Sequence, residues 1–164
     1  MNLVKKYIEQ TYGECVSYAY NLSCWEGVEQ RSDTLELLDP YLDEKLDLVT
    51  IQLGENAISF DTFTSDMVEL IDYVRSKCPN AQIIIIGEFW YSERNEYRKK
   101  AAEQTSCAFA DLSEIIGDSE YQSKAGTVCY LKDGTTVEVS EEAATHPGDK
   151  GMVYIANKVI ELIK

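Results

Sequence analysis

Residues 79–87, Pro-Asn-Ala-Gln-Ile-Ile-Ile-Ile-Gly, decide the fold class. Pro79-Asn80 stops a preceding helical pattern, four isoleucines follow without a polar break, and Gly87 closes the run. A short β-branched run with no polar alternation reads as a strand buried on both faces, as in a parallel sheet. Immediately upstream, Phe60–Cys78 places Phe63, Met67, Leu70, Ile71 and Val74 at helical spacing. Before it, Leu48–Leu53 (LVTIQL) is a second short apolar run, ended by Gly54. Downstream, Glu93–Thr105 is polar and alanine-rich, a surface helix, and Cys107–Leu112 (CAFADL) is the next strand. Strands separated by helices form βαβ units, hence a mostly parallel sheet with helices on both faces.

The flanks extend the pattern. Leu3–Tyr12 carries a helical stripe ended by Gly13, and Cys15–Leu22 (CVSYAYNL) reads as a strand. Ser32–Leu42 reads as mostly helical, with Leu35, Leu38 and Leu42 on one face. Val128–Val139 alternates around Asp133-Gly134, a hairpin signal. Met152, Ile155, Ala156, Val159, Ile160 and Ile163 form the stripe of a closing helix. No repeat or linker interrupts residues 1–164, and their 164-residue length suits a single α/β domain.

Composition narrows the function classes. Fifteen basic against 29 acidic residues give a net charge of −14. That balance argues against nucleic acid, whose sequence-independent binding depends on cations neutralising phosphates, and against an anionic membrane surface. No apolar run reaches the ~20 residues of a membrane helix, and MNLVKKYIEQ does not read as a signal peptide. Cys15, Cys24, Cys78, Cys107 and Cys129 include no CxxC pair, which fits free thiols in a reducing, cytoplasmic setting better than disulfides or zinc. A single histidine nearly excludes a multi-histidine metal site, and no phosphate-binding glycine loop follows a strand. No metal and no cofactor is expected.

In parallel α/β sheets, ligands bind beyond the carboxyl ends of the strands. Residues just after the strands are therefore the candidates: Ser23-Cys24-Trp25-Glu26, Gly54-Glu55-Asn56, Gly87-Glu88-Phe89-Trp90, and the loop with His146. His146 lies in Thr145-His146-Pro147-Gly148-Asp149, just before the closing helix. The positive end of a helix dipole disfavours an imidazolium and suits a neutral general base. The plainer reading is a surface histidine that happens to precede a helix. Asn56, following a buried strand through Gly54, either caps a turn or offers its amide to an oxyanion. Trp25, Phe89 and Trp90 either stack on sugar rings or fill the core. The 128–139 hairpin is either a lid over the His146 loop or an ornament.

Together these stretches resemble the SGNH (GDSL-type) hydrolase family. Gly54-Glu55-Asn56 matches its GxND block, with Ala57 at the Asp position, and Ala143–Pro147 matches its DxxHP block. IIIIGEFW and FADLSEI fit the strands between them, and NLSCWE falls where the family places a backbone oxyanion donor, at Ser23 or Cys24. The resemblance implies a three-layer flavodoxin-like fold and hydrolysis of a small-molecule or carbohydrate ester. His146 and Asn56 would be catalytic, with Ser23, Cys24, Gly54, Glu55 and Trp90 at the substrate.

Two departures matter. The family's first block, a strand followed by Gly-Asp-Ser with the nucleophile, has no counterpart before the first helix. Gly117-Asp118-Ser119 lies out of order with no strand directly before it, and Ser23 is a weak substitute. The expectation is a domain lacking its nucleophile block and its first strand. That strand would lie between 15–22 and 48–53, and another chain filling the slot is a route to an oligomer. Second, the family's Asp three residues before the histidine is Ala143, which leaves Glu141, Glu142 or a backbone carbonyl to orient the ring. The alternative function is a catalytically inactive domain that binds a glycan or small molecule on the same scaffold.

Overall fold

The computed structural model describes residues 2–131 and 133–164. Three parallel strands form the main sheet in the order β1-β2-β3: Leu48–Ile51, Gln82–Ile86 and Ala108–Ala110. Leu48 pairs with Gln82 and Ile51 with Ile85, while Ile84 pairs with Ala108 and Ile86 with Ala110. The crossovers are α3 (Phe63–Lys77) and α4 (Asn95–Thr105), which pack on each other.

The isoleucine run works as its pattern demands. Ile83 and Ile85 join Phe63, Met67, Leu70, Ile71, Val74, Ala101 and Ala102 in one apolar cluster, with α3 and α4. Ile84 and Ile86 join Phe89, Leu112, Ile115, Ile155 and Val159 in a second, which faces α5 (Asp149–Ile160). α1 (Asn2–Tyr12) packs on α5 and adds Val4 to that second cluster. Successive side chains of a strand point to opposite faces, so a strand apolar at every position needs cover on both. The result is mixed α/β with a small parallel sheet and helices against both faces.

One sequence expectation changes. Cys15–Leu22 joins no sheet: residues 14–22 run without helix or strand, and Val16, Tyr18 and Tyr20 are exposed. Alternating β-formers make a strand only when a neighbour accepts their backbone bonds. Here Tyr18 and Tyr20 instead lean on Tyr41, with ring centroids 6.4 and 4.8 Å apart. β1 is therefore an edge of the sheet. The Ser32–Leu42 segment is helical as read, a 3-10 helix over Arg31–Tyr41. Pro40 lies inside it and has no N–H to give an α-helical bond. The hairpin forms as read, β4 (Val128–Tyr130) against β5 (Thr136–Glu138), but all six residues are exposed. Among the described residues, no helix is long and apolar enough to cross a membrane.

Candidate functional site

The carboxyl ends of β1 and β2 are joined by one buried guanidinium. Arg98, on α4, donates from Nε and Nη2 to the Leu53 carbonyl at 3.1 and 2.7 Å, just past β1. The same Nη2 reaches Glu88 Oε2 at 3.1 Å, just past β2, and Nη1 donates to the Arg94 carbonyl at 3.2 Å. Both side chains of this ion pair are buried, at 1% and 0% exposure. The rest of Glu88 is also engaged: its N–H donates to Asn95 Oδ1 at 2.7 Å, and its Oε1 accepts the Trp90 N–H at 3.3 Å.

A second carboxylate shapes the Gly54–Asn56 turn. Glu26, nearly buried at the end of the one-turn helix α2 (Ser23–Glu26), accepts the backbone N–H groups of three successive residues. Its Oε1 takes Gly54 and Glu55 (3.2 Å for Glu55), and its Oε2 takes Asn56 at 3.2 Å. Successive amides curling round an oxygen form an anion nest. Gly54 supplies the left-handed φ of +100° that the curl needs. A Cβ at Gly54 would collide with the Phe63 ring and lie 2.8 Å from Arg98 Nη2, so the position has no room for a side chain. The turn's amides are thus spent on Glu26. The Asn56 side-chain amide is exposed and has no protein partner among the described residues.

His146 is held from below and from the side. Its Nδ1 lies 3.2 Å from the Ala143 carbonyl oxygen. A carbonyl only accepts, so this contact is a hydrogen bond when Nδ1 carries the proton, which leaves the Nε2 lone pair free. The ring meets Trp90 edge-to-face at 5.2 Å, and Trp90 Nε1 donates to the Thr145 carbonyl at 3.2 Å. Thr145 itself has a φ of +74°, a costly conformation for a β-branched residue. Ser123 supports it: Ser123 N–H donates to the His146 carbonyl at 2.7 Å, and Thr145 N–H to the Ser123 carbonyl at 3.2 Å. The Ser123 hydroxyl lies 3.0 Å from the Ala143 carbonyl and 3.1 Å from that of His146. Gly148, which caps α5, donates its N–H to the Tyr121 carbonyl at 2.9 Å.

The candidate residues follow two neighbouring parallel strands. Gly54, Glu55 and Asn56 follow β1; Trp90 follows β2 and carries His146 against it. The Ala143 carbonyl is the group against His146 Nδ1, where Glu141, Glu142 or a backbone carbonyl was expected to orient the ring. Ser23 and Cys24 are exposed at the start of α2. Ser23 N–H is taken by Asn21 Oδ1 at 2.9 Å, whereas Cys24 N–H has no acceptor among the described residues. Ser119 is exposed in a turn, and among the described residues no hydroxyl hydrogen-bonds the His146 ring. Trp25 and Phe89 are completely buried, so they fill the core and stack on no ligand; Trp90 is half-buried at the rim. Sequence reasoning placed Glu26 among the candidates without a role and did not single out Arg98 or Ser123. The only signal was the acidic residues Glu26 and Glu88 directly after apolar stretches, with Arg98 on a helix that reads as surface.

Three carboxylates surround Arg98, and Glu55 shows their effect. Burial pushes its carboxyl above the usual range, with the charges of Glu88 and Glu26 adding to the rise and the Gln52 hydrogen bond opposing it. The five cysteines are unpaired, and among the described residues no group of acidic, cysteine or histidine side chains is placed to hold a metal ion. Neither family models nor curated proteins include a match to this chain.

Two predictions follow from the charges. Removing one member of a buried ion pair strands the other, at a cost of about 3–5 kcal/mol. Glu88→Ala should lower folding stability by that amount in urea titration, whereas Lys5→Ala, which breaks an exposed pair, should change it little. Glu55 holds its proton more tightly folded than unfolded, so its contribution favours folding at low pH and fades as pH rises through the raised value. Glu55→Gln should therefore raise the urea midpoint at pH 7 relative to the parent, with the gain shrinking toward pH 4.

Proposed function

We propose that the chain is an SGNH-type ester hydrolase domain with a three-layer flavodoxin-like fold, acting on a small-molecule or carbohydrate ester. The observation that carries the reading is the His146 ring, with Nδ1 against the Ala143 carbonyl and Nε2 unengaged among the described residues, beside Trp90 at the carboxyl end of β2. Asn56 stands in the turn after β1, at the same end of the sheet.

In this reading, Nε2 takes the proton from a serine hydroxyl as its oxygen attacks the ester carbon. The Asn56 amide and the Cys24 N–H hold the oxyanion. The imidazolium then returns the proton to the leaving alkoxide, and water releases the acyl group by the same steps. A carbonyl at residue 143 fixes the ring's tautomer, as a carboxylate does, but brings no negative charge to stabilise the imidazolium. The serine in this reading comes from a strand–Gly-Asp-Ser segment.

A second reading has its own support. Ala143 offers only a carbonyl, and no described hydroxyl bonds the ring, which suits a catalytically inactive glycan-binding domain on the same scaffold.

Hydrolysis of p-nitrophenyl acetate and acetylated xylan separates the two. The chain alone should run near the uncatalysed rate, since loss of a triad nucleophile costs about 10⁶. Fusion to a strand ending in Gly-Asp-Ser should restore turnover, and Asn56→Ala should then reduce it by about 10²–10³. Binding of acetylated xylan without turnover in that fusion, unchanged by His146→Ala, would favour the binding domain. Activity of the chain alone that Ser119→Ala removes would contradict the assignment of the nucleophile.

A further inference from the structure

The chain has four arginines among 29 acidic residues. Arg31, Arg75 and Arg98 each have a carboxylate within 4 Å. Arg94 has none among the described residues, although it is half-buried and flanked in sequence by Glu93 and Glu96. With nearly two acidic groups for every basic one, an arginine left without an ionic partner is unusual.

Its position is fixed without a carboxylate. The guanidinium carbon lies 4.3 Å from the Tyr91 ring centroid and 5.1 Å from that of Phe60. Nη1 donates to the Glu55 carbonyl at 3.0 Å. The Arg94 carbonyl accepts from Arg98, so its backbone is tied to the buried pair. These contacts consume one N–H and leave the Nε–Nη2 edge without a protein acceptor among the described residues. That edge presents two parallel N–H groups, a geometry that binds planar carboxylates and phosphate oxygens in pairs. Aromatic faces strengthen the site by holding the cation and excluding water around it.

We propose that Arg94 is the receptor for an anionic group, a carboxylate or a phosphate, on the ligand of this site. Residue 55, whose carbonyl Arg94 holds, directly precedes Asn56, so the bound anion lies beside the turn that presents the Asn56 amide. Tyr91, 49% exposed, stands against the guanidinium and offers an aromatic surface suited to the apolar face of a sugar ring. The ligand class is thus an acidic sugar, either a uronate or a sugar phosphate. The anion's place on an ester substrate rests on the hydrolase reading; the binding itself does not.

The test is a ¹H–¹⁵N NMR titration of the intact chain at 150 mM salt with glucuronate, glucose 6-phosphate and neutral glucose. Expected are saturable shifts of the Arg94 Nε–H signal and of the Glu55, Asn56 and Tyr91 amides, with at least tenfold tighter binding of an anionic ligand than of glucose. Response to glucuronate alone assigns a carboxylate, to glucose 6-phosphate alone a phosphate, and to both a receptor for either. Arg94→Gln, checked for folding by its dispersed spectrum, should weaken anion binding at least tenfold, and Arg94→Lys should recover only part of it. Absence of anion-induced shifts, equal binding of glucose, or unchanged binding in Arg94→Gln would overturn the proposal. None of these results depends on turnover, so a failed titration leaves the esterase assay to judge the hydrolase reading separately.

Discussion

The buried Glu88–Arg98 pair is the constraint on which this end of the molecule depends. A guanidinium removed from water must have its donors met, and Arg98 meets them with the Leu53 carbonyl, the Arg94 carbonyl and Glu88. Those acceptors belong to the segment after β1, the start of α4 and the segment after β2. One side chain therefore fixes the spacing of two strand ends and the start of α4, which leads from β2 to β3. A hydrophobic replacement could fill the volume, but it could not bind three backbone regions at defined positions. The pair contributes placement more than net stability, since desolvation offsets much of its Coulomb attraction.

From that anchor the two sides of the site are built by different means. On the β1 side, Glu26 gathers the amides of residues 54–56, and Gly54 makes the approach feasible in both φ and space. On the β2 side, Glu88 holds the Trp90 amide while the Trp90 indole holds the Thr145 carbonyl and faces the imidazole. The strained backbone at Thr145 is supported by Ser123 and by the bridge between Gln122 and Pro147. Strain maintained this way keeps a ring in one place at the expense of local stability, a trade common at functional sites.

The sheet and its helices were legible because their signals are local. Four isoleucines in a row, a heptad-like stripe on α3 and an Asp-Gly turn each declare themselves within a few residues. Residues 14–22 misled for the opposite reason: their alternation is strand-like, but a strand also needs a neighbour, and no local pattern supplies one. The candidate site was half legible. His146 before a helix and Asn56 after a glycine could be found by position relative to the elements. Glu26 was found by position but not its role, and Ser123 and Arg98 not at all, because each acts on backbone groups distant in sequence, and backbone partners leave no mark on residue identity. Trp25 and Phe89 were ambiguous for a related reason, since an aromatic in a rim segment is equally suited to pointing inward, as both do.

The central claim is that His146 carries its proton on Nδ1, against the Ala143 carbonyl, and offers an open Nε2 lone pair beside Trp90. The chain has one histidine, so its two ring nitrogens can be read without assignment ambiguity by long-range ¹H–¹⁵N correlation of the neutral ring. The account predicts a protonated-type Nδ1 signal, an unprotonated-type Nε2 signal, and ring protons shifted by the Trp90 indole in a way that Trp90→Leu abolishes. A proton on Nε2, or averaged signals matching a free imidazole and indifferent to Trp90→Leu, would contradict it.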